Sequence, residues 1–161
     1  MKRFMALTSA LALGLGSTAW ADSAKVDSIF VDLSPNADDA NVETVWPTLE
    51  DDLKTLLDAK FAPHMSDDGY TVTVRIIEVS LDGSMILTES DEFNHLEGWV
   101  YVRPNDGTGN ISPTKVIIDA QTGALYKTPD GAVQIPGAEL FYAAMLDGFA
   151  DKTLETILEM N

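Results

Sequence analysis

Tyr70-Thr71-Val72-Thr73-Val74-Arg75-Ile76-Ile77-Glu78-Val79-Ser80-Leu81 is the stretch on which the fold of this 161-residue chain turns. Tyr70, Val72, Val74 and Ile76 recur with a period of two while Thr71, Thr73 and Arg75 take the other face, the signature of a strand buried on one side. After Ile76 the phase slips, because Ile77, Val79 and Leu81 are apolar and Glu78 and Ser80 polar. A bulge near Ile76-Ile77 would keep both apolar sets on one face; burial of the second half on both faces is the alternative.

Upstream, Ser66-Asp67-Asp68-Gly69 reads as the turn that opens this strand. A helix is expected over Thr44 to Ala62, since Leu49, Leu53, Leu56, Leu57 and Phe61 recur at three- and four-residue intervals. Pro47 belongs in its first turn, Glu50 to Asp52 suit the positive end of the helix dipole, and Pro63 stops it. Before it, Val26 to Ser34 alternates as a strand, ended by the Asp- and Asn-rich run Pro35 to Asn41.

Downstream, Asp82 to Asn94 is polar and reads as a loop in which Met85-Ile86-Leu87 could add a short strand. Leu96 to Arg103 is a strand, and Pro104 to Gly109 a turn. Strands at Lys115 to Asp119 and Ala124 to Lys127 flank Ala120-Gln121-Thr122-Gly123, whose glycine suits a hairpin loop. After the turn Thr128 to Gly131, Pro136 opens a closing helix with an apolar stripe of Ala138, Tyr142, Leu146, Phe149, Ile157 and Met160. The order predicts an α+β fold, a two-layer sandwich of type β-α-β-β-β(-β)-α with both helices on one face of a mostly antiparallel sheet. The polar face and the sheet edges are then left for partners.

The chain's first residues bear on where this domain works. Lys2 and Arg3, the apolar run Phe4 to Leu15, and the small residues Ala19 and Ala21 around Trp20 form the pattern of a cleavable export signal, with Asp22 left first. A membrane span needs about 20 apolar residues, and this run is shorter and broken by Gly14 and Gly16. Residues 1–21 are thus expected to be removed, leaving one domain over 22–161 in the bacterial periplasm or outside the cell, with no membrane anchor. The chain has no cysteine, which excludes lipid attachment at the cleavage site, thiol redox chemistry and cysteine-ligated zinc.

The full chain carries 10 basic and 26 acidic residues, a net charge of −16. Loss of Lys2 and Arg3 leaves 8 basic residues against 26 acidic ones, a net charge of −18. Such a field repels nucleic acid and anionic lipid and favours solubility, with basic partners or divalent cations as the electrostatically permitted ligands.

Catalytic motifs are absent: no phosphate-binding glycine loop, no GxGxxG, no HExxH and no GxSxG. The 2 histidines, His64 and His95, lack a nearby nucleophile elbow. His95 and Glu97 would share one face of a strand and could both ligate a metal, with Glu89, Asp91 and Glu92 just upstream; an exposed acidic loop leading into a strand is the plainer account. Asp67-Asp68-Gly69, Asn105-Asp106-Gly107 and Asp130-Gly131 lack EF-hand spacing and read as turns. Trp46, Trp99 and Tyr101 could line a ligand groove between sheet and helix, joined by Phe141, Tyr142 and Phe149, or could simply pack in the core. No cofactor and no oligomeric state is assigned.

Trp46-Pro47 before an acidic helix, Asp68-Gly69-Tyr70 leading into Val72-Thr73-Val74, Phe141-Tyr142-Ala143-Ala144-Met145 and Phe149-Ala150-Asp151 together resemble small exported bacterial proteins of uncharacterised function. The element order also looks like the envelope accessory domains of auxiliary transport lipoproteins, although this chain lacks their lipidated cysteine. The resemblance implies an envelope role without a defined activity. The expected function is a non-catalytic soluble periplasmic domain that binds a protein or other envelope component. A metal-dependent enzyme centred on His95 and Glu97, and a binder of small apolar ligands, are the alternatives.

Overall fold

The computed structural model describes residues 24–34, 42–81, 93–106, 113–120, 126–127, 133–134 and 138–160. The expected signal at 1–21, the segment Met85-Ile86-Leu87 and the carboxylates Glu89, Asp91 and Glu92 lie outside the described residues. Within them the chain runs β1 (Val26–Leu33), α1 (Val42–Val45), α2 (Leu49–Phe61), a 3-10 turn (Ala62–His64), β2 (Tyr70–Ser80), β3 (His95–Pro104), β4 (Thr114–Asp119), β5 (Tyr126–Lys127), β6 (Val133–Gln134) and α3 (Ala138–Leu158).

The four-stranded sheet has the order β1-β2-β3-β4. β1 runs parallel to β2, and the other neighbours are antiparallel. β2 and β3 shift register between Ile76 and Glu78, so Ile77 is the extra residue of a bulge. Val72, Val74, Ile76 and Val79 are all fully buried, which shows what the bulge does: it holds the apolar positions on either side of Ile77 on one core-facing surface.

Both long helices cover that surface. Leu49, Leu53, Leu57 and Phe61 bury one stripe of α2, and Met145, Leu146, Phe149, Ala150 and Ile157 bury the matching stripe of α3. Each such side chain stabilises the fold by roughly 1.5–3 kcal/mol relative to exposure. The α+β two-layer sandwich expected from the sequence is therefore the observed architecture. Lys60 ties the helices together at the surface, 2.7 Å from Asp147 and 2.6 Å from Asp151. Hydrogen bonds from these carboxylates, Asp147 first, raise the lysine's pKa above its ordinary value.

Glycine permits two close approaches in the core layer. At Gly98 of β3 an added Cβ would lie 2.9 Å from Cζ of Phe149, so the α3 ring sits directly on the strand backbone. At Gly69 it would lie 2.5 Å from the carbonyl carbon of Val26. There the turn leans on the start of β1, with Ser66 N–H donating to Val26 O at 2.8 Å and Tyr70 N–H to Lys25 O at 2.8 Å.

Three expectations are corrected. The single helix from Thr44 to Ala62 is broken: α1 ends at Val45 and α2 begins at Leu49. Pro47 has no amide hydrogen and disfavours helical backbone at Trp46, so it lies between the helices rather than in the first turn. Among the described residues the strand ending at Lys127 is not paired with β4. Among the same residues β5 instead pairs with β6 in a separate two-stranded sheet.

The third correction concerns the aromatic groove. Trp46 stacks on Tyr142 of α3, with ring centroids 3.9 Å apart and planes 12° from parallel. Trp99 and Tyr101 alternate with buried Val100 and Val102 and occupy the other face of the sheet. The sheet itself separates Trp46 from Trp99 and Tyr101, because side chains one residue apart along a strand point to opposite faces.

Tyr142 also donates to Asp52 Oδ2 at 2.8 Å, and Thr48 donates to the same oxygen at 2.8 Å. Burial, and then this bond to Asp52, push the phenol well above the ordinary tyrosine value of 10.0. The folded state holds the proton more tightly than the unfolded chain. This contribution to stability is therefore complete below about pH 10 and is lost as pH rises beyond it. In an alkaline titration followed by phenolate absorbance, Tyr142 is expected to remain protonated until the protein unfolds. Tyr142→Phe should remove that late phase and cost about 1 kcal/mol; ionisation of all tyrosines in one early step would contradict the buried bond.

Candidate binding face on the open side of the sheet

Among the described residues no helix lies against the second face of the sheet. The strand register arranges its side chains in rows. Phe30, Thr73 and Tyr101 form one row, Asp32, Arg75, Trp99 and Lys115 the next, then Glu78, Glu97 and Ile117, and last Ser80, His95 and Asp119. These residues share the face because odd-and-even alternation along each strand sends their neighbours Val72, Val74, Val100 and Val116 into the core.

Most charges on this face are already matched. Arg75 donates from Nε to Asp32 Oδ2 at 2.9 Å, and its guanidinium lies 5.9 Å from the Tyr101 ring centroid. Lys115 meets Glu97 at 2.6 Å and lies 5.2 Å from the Trp99 ring centroid. His95 Nδ1 lies 2.6 Å from Asp119. Each cross-strand pair contributes roughly 0.2–1 kcal/mol.

What the face offers to solvent is therefore mixed: the side chains of Arg75, Lys115 and Asp119 are 47%, 40% and 73% exposed, and apolar residues stand among them. Of the 5 large hydrophobic residues exposed among those described, Phe30, Tyr101 and Ile117 lie here, at 54%, 38% and 43% exposure. The other two, Met65 and Leu140, lie elsewhere. Aromatic and aliphatic side chains thus stand beside cross-strand ion pairs on this face.

The face does not assemble a catalytic centre from the described residues. Ser80, His95 and Asp119 share a row and have the residue types of a hydrolytic triad. However, Ser80 Oγ donates to Glu78 Oε1 at 3.0 Å and the residue is 1% exposed, so its hydroxyl is neither aimed at His95 nor open to a substrate.

The structure brings His95 and Glu97 onto one face as their spacing predicts, with Nε2 3.9 Å from Glu97 Oε2. A metal there would have to displace Asp119 from Nδ1 or compete with Lys115 for Glu97. No group of three or more potential metal ligands occurs among the described residues. The first two acidic turns serve structure: Gly69 N–H donates to Ser66 O at 2.9 Å, and Asn105 Oδ1 accepts from Thr71 Oγ1 at 2.9 Å.

No protein-family model and no curated protein matches the chain. Among solved structures it is similar to a "putative lipoprotein" from Caulobacter crescentus CB15, at 11% identity and a TM-score of 0.46, covering 81% of this chain and 88% of that one. It is also similar to a minor lipoprotein from Acinetobacter baumannii, at 17% identity and a TM-score of 0.38, covering 83% and 93%. Likenesses this distant carry no function across. Among the described residues no helix is long and apolar enough to cross a membrane.

The cross-strand partners Asp32, Lys115 and Asp119 had no signal in the sequence, because their role depends on which strands are neighbours. Phe30 and Ile117 had a faint one: each is a large apolar residue at a position whose strand neighbours on both sides face the other way.

Proposed function

We propose that the protein is a non-catalytic, soluble domain of the bacterial periplasm that binds a protein or other envelope component through the open face of its sheet. The observation that supports this reading is that Phe30, Tyr101 and Ile117, three of the 5 large exposed hydrophobic residues among those described, share one sheet face on which Arg75 and Lys115 are paired with Asp32 and Glu97. Burial of three large apolar side chains would favour binding, against the cost of desolvating the exposed ion pairs beside them. The export pattern at Lys2, Arg3, Ala19 and Ala21 supports the compartment.

Affinity capture after cross-linking in intact bacterial cells tests this reading. The protein is expected in the periplasmic fraction, beginning at Asp22, with an envelope protein bound at fixed stoichiometry. A Phe30→Ser/Tyr101→Ser double variant should lose that partner while retaining its melting temperature. Retention in the cytoplasm, or a captured set unchanged by the double variant, would contradict the proposal.

A further inference from the structure

A second candidate site lies on the helical side of the sheet, apart from the open face. The break between α1 and α2 leaves a cleft of about 260 Å³ lined by Leu33, Glu43, Trp46, Pro47, Leu49 and Glu50. We propose that this cleft binds an organic cation, a primary ammonium or guanidinium group carried on a short aliphatic chain.

The chemistry of the lining selects that class. One face of the Trp46 indole is occupied by its stack on Tyr142, and the residue also lines the cleft. An indole held in this way is a preorganised wall for a cation, which the ring quadrupole attracts within about 6 Å of its centre. Glu43 and Glu50 add two carboxylates, and no lysine or arginine is among the described lining residues. Glu50 is held in place, because its Oε1 accepts the Leu33 amide at 2.6 Å.

Leu33, Pro47 and Leu49 make the rest of the lining apolar, which suits methylene groups rather than a hydrated metal ion. Calcium or magnesium requires six or more oxygen ligands or retained waters, and here two carboxylates stand among aliphatic and aromatic walls. The volume is several times the share of one water molecule, about 30 Å³, and just below the ~300 Å³ of small-ligand pockets, so a head group with a few carbons fits. The net charge of −16 draws cations towards it from a distance.

The cation could come from a free polyamine or from a lysine or arginine side chain of a peptide, and calorimetric titration separates these sources. The purified protein is titrated at constant ionic strength with spermidine, with the blocked tripeptides acetyl-Gly-Lys-Gly-amide and acetyl-Gly-Arg-Gly-amide, and with magnesium chloride. Saturable one-site binding of at least one organic cation is expected. Spermidine alone would indicate a free amine, and the tripeptides a protein side chain.

Glu43→Gln, Glu50→Gln and Trp46→Leu should each weaken binding by about three- to tenfold. Glu43 is exposed and Glu50→Gln retains an acceptor for Leu33, so these two variants report on binding even if Trp46→Leu lowers stability. Absence of binding by all three organic probes would overturn the proposal. Binding that magnesium displaces charge for charge and that Trp46→Leu leaves unchanged would overturn it equally, because a diffuse acidic field would then explain the heat.

Discussion

Replacing Gly69 by alanine is expected to destabilise the fold by about 3 kcal/mol or more, the upper end of what inserting a methyl group into a packed site costs. The new Cβ would stand 2.5 Å from the Val26 carbonyl carbon, 2.7 Å from the Asp27 amide nitrogen and 2.7 Å from the Lys25 carbonyl carbon. All three are backbone atoms, so no side-chain rotation relieves the contact. The backbone there is also fastened, since Lys25 O and Val26 O accept the amides of Tyr70 and Ser66. The start of β1 must move away from β2, which weakens the only parallel pairing in the four-stranded sheet. Urea denaturation should show a lower midpoint with an unchanged slope. A Gly69→Ala variant as stable as the parent would contradict the close approach.

Phe149→Ala is expected to cost about 3–5 kcal/mol, because the ring is fully buried and its removal leaves a cavity in the core. Gly98→Ala alone should cost about 1–3 kcal/mol, since its methyl would press on the same ring. The two changes should therefore not add. In the Phe149→Ala background the methyl at position 98 enters the vacated volume, and the double variant should be more stable than the sum of the single effects requires. The compensation should be partial, because contacts with Arg75 O at 3.1 Å and Ile76 Cδ1 at 3.2 Å remain. Strict additivity in a double-mutant cycle would contradict the placement of α3 directly on β3.

This pairing also shows where sequence reading stops. That Phe149 faces inward follows from its place on the apolar stripe of α3, and that β3 is a strand follows from its alternation. That Phe149 sits on Gly98 depends on a contact between elements 51 residues apart in the chain, which no local period encodes. The bulge at Ile77 was legible because a period-two pattern that changes phase has few physical solutions. The helix break at Pro47 was also carried by one residue, but proline is tolerated in the first turn of a helix, so its presence alone does not separate a helix start from a break.

The candidate face was legible only in outline. Thr71, Thr73 and Arg75 marked a polar surface, and His95 and Glu97 fell on it as their spacing requires. The partners that give those residues their character, Asp32 for Arg75, Lys115 for Glu97 and Asp119 for His95, come from neighbouring strands. Trp46 was separated from Trp99 and Tyr101 for the same reason: residue type suggests an aromatic site, while the strand register decides which aromatics can meet.

Docking through the open face is the central claim, and site-specific photo-cross-linking in living cells tests it most directly. A photoreactive amino acid is placed in turn at Phe30, Tyr101 and Ile117, and at the exposed helical positions Leu140 and Glu155 as controls. The account predicts that all three face positions cross-link to the same envelope partner and that neither helical position does. Cross-links to a common partner from Leu140 and Glu155, with none from the three face positions, would contradict it.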